Sequence, residues 1–125
     1  MAWEGQYLNM MNQWLILKQE GKGIDRYLKK HGYCNIAVYG MAIYGRHVIR
    51  ELQESDVKIL YGIDRKKMEP YKTIEVLQPV EGMPYVDAVI NTVLHDHIHI
   101  KSHLAELLNC SIVSLEDVIF ESYSC

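Results

Sequence analysis

The residues with the clearest chemical content fall into two groups. The first is Gly40-Met41-Ala42-Ile43-Tyr44-Gly45, set directly after an apolar run over 35–39 and directly before a helical pattern. In a strand–turn–helix unit of this kind the first glycine makes the turn, the second lets the backbone approach a pyrophosphate, and the third lets helix and strand pack closely. Gly40 and Gly45 fill the first and third places. Ala42 holds the second, and its methyl keeps a pyrophosphate farther from the backbone. The helix that follows still offers N–H groups and partial positive charge to an anion. Asp64 stands 24 residues after Gly40, at the end of the next apolar run. That is close to the ~20 residues that separate such a turn from a ribose-binding acid. Its carboxylate suits a ribose diol and would repel a 2′-phosphate, although Arg65 is adjacent.

The second group is His95, His97, His99 and His103, with Asp96 among them. On a helix His99 and His103 share a face with Glu106 one turn on, a set of donors zinc accepts. The spacing is not that of an HExxH site, because Ile100 follows His99. A solvated helix flank is the plainer reading, and no metal is assigned. Asp96 has the position of an N-cap, which puts His95 at the carboxyl end of the preceding strand, the edge that borders the ligand crevice in open α/β sheets. A histidine titrates near neutral pH and can pass a proton there. No Ser-His-Asp or Cys-His set can be assigned. Cys34, Cys110 and Cys125 have no activating neighbour in the sequence.

These groups need elements to position them. Trp3, Tyr7, Met10, Met11, Trp14, Leu15 and Leu17 recur at near-helical spacing, so a helix is expected over 3–20, stopped by Gly21 and Gly23. A short helix from Asp25 to Gly32 follows. Strands are expected over 35–39, 57–63, 73–77, 87–93 and 111–113. Helices are expected over about ten residues after Gly40, over 95–109 and over 115–121, the last with Ser114 as N-cap. In the helix after the turn, Tyr44, Val48 and Leu52 form the core stripe, and Arg46, Arg50, Glu51 and Glu54 can face water. Two helices followed by β-α-β-β-β-α-β-α predict an α/β fold: a Rossmann-like, mostly parallel sheet flanked by helices. The division expected is a helical extension, 1–32, and a nucleotide-binding-type domain, 33–125.

Composition narrows the function. The 125 residues suit one domain, and 49% apolar residues suffice for an ordinary core. With a net charge of −3 and only short basic runs, at Lys29-Lys30 and Arg65-Lys66-Lys67, nothing resembles a nucleic-acid-binding face. Three cysteines without a CxxC read as free thiols in a reducing compartment. No leader pattern and no apolar run of about 18 residues is present, so no membrane span and a cytoplasmic location are expected. The first two helices are expected to pack on the sheet as a hairpin, and the apolar first helix can in addition be buried in a homodimer, which is the oligomeric state expected.

The segments VYGMAIYGRHVIREL, KILYGIDRK and YVDAVINTV resemble the Rossmann-like domains of bacterial surface-glycan and nucleotide-sugar enzymes. There a strand ending in YG-x-G-x-x-G-R precedes a strand ending in G-x-x-D and, later, a D-A-V-I-x-T strand. The likeness covers roughly residues 34–120, and Ala42 departs from it. The resemblance implies a module that binds NAD(P) or a nucleotide-sugar of the UDP-sugar type, beside a partner glycosyltransferase or sugar-modifying enzyme. It implies a binding set of Gly40, Met41, Ala42, Ile43 and Gly45 for phosphate, Asp64 and Arg65 at the ribose, and Thr92 at the end of the fourth main strand. Independent enzymatic activity is not expected. The alternatives are a catalytically inactive interaction or dimerisation domain with a degenerate glycine loop, and a small sugar-nucleotide-modifying oxidoreductase using His95 or His97.

Overall fold

The central strand β1 (Asn35–Tyr39) is apolar after its first residue and buried on both faces: Ile36 and Val38 point into one core cluster, Ala37 and Tyr39 into the other. A computed structural model describes residues 3–125. Around β1 it places β2 (Lys58–Ile63), β3 (Val76–Leu77), β4 (Ala88–Asn91) and β5 (Ser111–Ser114) in the order β3-β2-β1-β4-β5, every pair parallel. Between Ile36↔Ile59 and Ala37↔Tyr61 the register slips by one residue. This bulge sends Ile59 to one face and Tyr61 to the other, and leaves Leu60 43% exposed within an apolar run.

Helices α1 (Glu4–Gln19), α2 (Asp25–Lys30), α3 (Ile43–Leu52) and α5 (Leu115–Ser122) share one face of the sheet, and α4 (His97–Leu107) lies on the other. In α1 the residues Met10, Trp14 and Leu17 are buried at i, i+4 and i+7 and join the same cluster as Ile36 and Val38. The N-terminal helices and the sheet therefore share a core. Glu51 of α3, expected to face water, turns inward instead. Its carboxylate accepts from the Trp14 indole N–H at 2.8 Å and from the Ile24 backbone N–H at 2.6 Å, tying α1 and the start of α2 to α3. An acceptor held by two such donors is costly to remove, about 1–3 kcal/mol for each donor left buried.

Strand β4 keeps Ala88–Asn91 of the expected 87–93, and two further elements differ from the sequence expectation. Strand β3 keeps only the last two residues of 73–77, because Tyr71 and Ile74 bond each other across an isolated antiparallel bridge at 2.9 Å in both directions. The helix expected from His95 begins as a 3-10 turn, Leu94–Asp96, and turns α-helical only at His97. At α5 the expected cap is present, with Ser114 Oγ accepting from the Asp117 N–H at 3.1 Å. No helix of the described residues is long and apolar enough to cross a membrane.

Candidate functional site

Strand order reverses between β1 and β4, which are neighbours in the sheet. The chain leaving β1 enters α3 on one face, and the chain leaving β4 enters α4 on the other. The two loops separate there and open a crevice beyond the carboxyl ends of the strands.

The β1–α3 loop is held by its own chain. Gly40 has φ +88, a conformation that side chains with a Cβ rarely adopt, and a Cβ there would overlap the Thr92 hydroxyl. A Cβ at Gly45 would overlap the Gly40 carbonyl oxygen, so α3 can cross the turn closely only with glycine. The Gly40 N–H donates to the Ile63 carbonyl at 2.9 Å, and the Met41 N–H donates to Asp64 Oδ2 at 2.9 Å. The other oxygen of Asp64 accepts from the Lys66 N–H at 3.0 Å. Thr92 is buried, with its hydroxyl 2.9 Å from the carbonyl oxygens of both Tyr39 and Gly40. The Met41 side chain is buried against Gly62, where a Cβ would collide with its thioether. Ala42 stands at the N-cap of α3 without a side-chain hydrogen bond, so the first-turn N–H groups have no cap.

The β4–α4 loop is braced differently. Asn91 is fully buried; its Oδ1 accepts from the Val93 N–H at 2.9 Å, and its Nδ2 donates to the Val93 carbonyl at 3.2 Å. The same Nδ2 lies 2.9 Å from His97 Nδ1, which must accept. Burial, then Lys101, pulls the His97 pKa below its usual value, matching an unprotonated Nδ1. His99 Nδ1 meets Asp96 Oδ1 at 2.7 Å on an exposed flank, so Asp96 holds that side chain and makes no N-cap hydrogen bond. His103 is exposed. Among the described residues no three His, Cys, Asp or Glu side chains converge as a metal site.

Between the loops lies a cleft of about 470 Å³, lined by Tyr39, Gly40, Asp64, Arg65, Lys66 and Val93 together with His95, Asp96 and Ile100. Its polar wall is mixed in charge: two cations from the loop after β2, and carboxylates from Asp64 and Asp96. Of the residues expected to bind, Gly40, Asp64 and Arg65 line this cleft. Met41, Gly45 and Thr92 are buried and shape the loop from behind. Ala42 and Ile43 line a second hollow of about 420 Å³ on the outer side of the turn, with Arg46, His47, Arg50 and Met68. There the guanidinium groups of Arg46 and Arg50 lie over the Tyr71 ring, at 5.0 and 5.8 Å from its centre.

His95 reaches the crevice and His97 is turned to Asn91. Sequence reasoning did not find Asn91, Lys66, or the α1 residues that touch His95. Asn91 carried a signal, a carboxamide inside the apolar run DAVINTV; the α1 contacts carried none. Comparison with protein-family models, with curated proteins and with solved structures finds no match to this chain.

Proposed function

We propose that the chain is a small Rossmann-like module that binds a nucleotide or nucleotide-sugar in the cleft at the strand reversal, accessory to sugar-nucleotide or surface-glycan metabolism. The observation that carries this reading is the convergence of Gly40, Asp64, Arg65 and His95 on one cleft at the carboxyl edge of a parallel sheet. Asp64 spends one acceptor site of each oxygen on the loop, and each carboxylate oxygen has two, so a ribose or sugar diol can still be held. Arg65 and Lys66 supply charge for phosphate. The Ala42 methyl lies outside the cleft lining, so it does not fill the opening.

A thermal-shift screen with NAD, NADP, UDP-glucose, coenzyme A and S-adenosylmethionine tests the proposal. A ligand present at about 100 times its Kd adds about 2.7 kcal/mol to stability. Silence from all five at millimolar concentration argues against a nucleotide.

A second reading, an interaction domain that pairs through α1, is favoured by Leu8 and Leu15, which lie seven positions apart on that helix and are 74% and 57% exposed. A homodimer would bury both. Light scattering on the wild type and on Leu8→Glu/Leu15→Glu decides it: a concentration-independent monomer removes this reading.

A further inference from the structure

We propose that α1 completes the ligand site: Tyr7 holds the His95 imidazole as its Nε2–H tautomer, and that N–H is the donor the cleft offers to a phosphate or sugar oxygen. This rests on the nucleotide reading of the cleft.

The hydrogen bonds at the Tyr7 hydroxyl give the proposed direction of its proton. The Tyr7 oxygen accepts the Leu94 backbone N–H at 2.9 Å. A phenolic oxygen has two lone pairs and one hydrogen. With one lone pair taken by Leu94, the hydroxyl keeps its hydrogen to donate to His95 Nδ1, 2.9 Å away. Nδ1 is then the acceptor, and Nε2 carries the ring's hydrogen.

The surrounding aromatic side chains hold the ring in place. The Trp3 indole stacks on the imidazole, with centroids 4.7 Å apart and planes 18° from parallel. Tyr7 in turn stacks on Tyr44, at 4.9 Å and 18°, in the first turn of the helix that leaves the glycine loop. An exposed histidine ordinarily samples several rotamers within nanoseconds. This one is fixed by a hydroxyl from α1, 88 positions away in sequence, and by the indole of Trp3 at the N-cap of that helix. The other histidines of the segment have no such support: His97 spends Nδ1 on Asn91 inside the protein, and His99 meets only Asp96 in solvent. His95 alone among them lines the cleft.

Long-range ¹H–¹⁵N NMR correlation of the imidazole rings at pH 8 reads the tautomer without any ligand. The wild type should show His95 mainly as Nε2–H, and Tyr7→Phe should move it toward a mixture. NAD and UDP-glucose are then titrated. Tyr7→Phe and His95→Ala should each raise the Kd of whichever compound binds by about tenfold, the value of one hydrogen bond. His95→Gln, whose amide places an N–H near the Nε2 position, should restore it to within about threefold. An Nδ1–H tautomer in the wild type overturns the role of Tyr7. Binding with an unchanged Kd in His95→Ala overturns the donor role alone. Failure of these two and of the other compounds of the thermal screen to bind the wild type sinks the nucleotide reading and the donor role with it, while the tautomer still decides whether Tyr7 sets the ring.

Discussion

The loops that leave β1 and β4 flank the same cleft and use their polar groups in opposite ways. After β1, the Gly40 and Met41 N–H groups and the Gly40 carbonyl are all engaged with the chain itself, the Met41 N–H with Asp64 at the end of β2. After β4, side chains do the bracing, Asn91 within the loop and Thr92 onto the β1 loop, and His95 and Asp96 line the cleft. One loop chiefly holds the fold, and the other presents chemistry. A glycine signature in a sequence can thus report close packing of helix and strand as directly as it reports a phosphate site.

That contrast can be broken by substitution, and the largest effect is expected at Gly45. Gly45→Ala forces a methyl onto the Gly40 carbonyl, and urea denaturation should show a loss of about 3 kcal/mol. Asp64→Ala strips the acceptor from the Met41 and Lys66 N–H groups and should cost about 2 kcal/mol. If Asp64→Ala is as stable as wild type, the carboxylate is not holding the loop. Thr92→Val keeps the shape and loses the hydroxyl that joins Tyr39 to Gly40, for about 1 kcal/mol.

On the β4 side the expected effects are smaller and of another kind. Burial lowers the His97 pKa in the folded protein, so the unfolded chain takes up a proton first, near pH 6.5. The stability that the neutral ring contributes is complete above that pH and is lost as the pH falls through 6.5 toward the folded-state value. His97→Gln should flatten this slope in denaturant midpoints measured between pH 7.5 and 5. The exposed His99→Ala should change stability by less than about 0.5 kcal/mol, since an exposed pair with Asp96 is worth little.

Much of this architecture could be read from local pattern. The run Asn35–Tyr39, the turn after it and the ten-residue helix α3 lie where apolar periodicity and glycine punctuation placed them. Pattern failed where a local signal was overridden by distant geometry. Leu60 belongs to an apolar run, yet a register slip against β1 exposes it. Glu51 sits at a position that can face water, yet Trp14 and Ile24 turn it inward. Tyr7 fits the apolar stripe of α1, yet its hydroxyl reaches Leu94 and His95. No spacing rule encodes a contact between residues so far apart in the chain. Spacing did bring Gly40 and Asp64 to one crevice and His95 to its edge, as the structure has them, but it could not supply the long-range contacts that hold them there.

Whether the cleft between the two loops takes a nucleotide is read by chemical-shift mapping. Titration of the ¹⁵N-labelled protein with the strongest compound from the thermal screen, or with NAD at millimolar concentration if none is found, should move the backbone amides of Gly40, Asp64, Arg65 and His95 together, with a single saturating Kd. Amides that stay in place at those positions in a folded sample, or that move only around Arg46, Arg50 and Tyr71 on the outer side of the turn, would contradict nucleotide binding in the cleft.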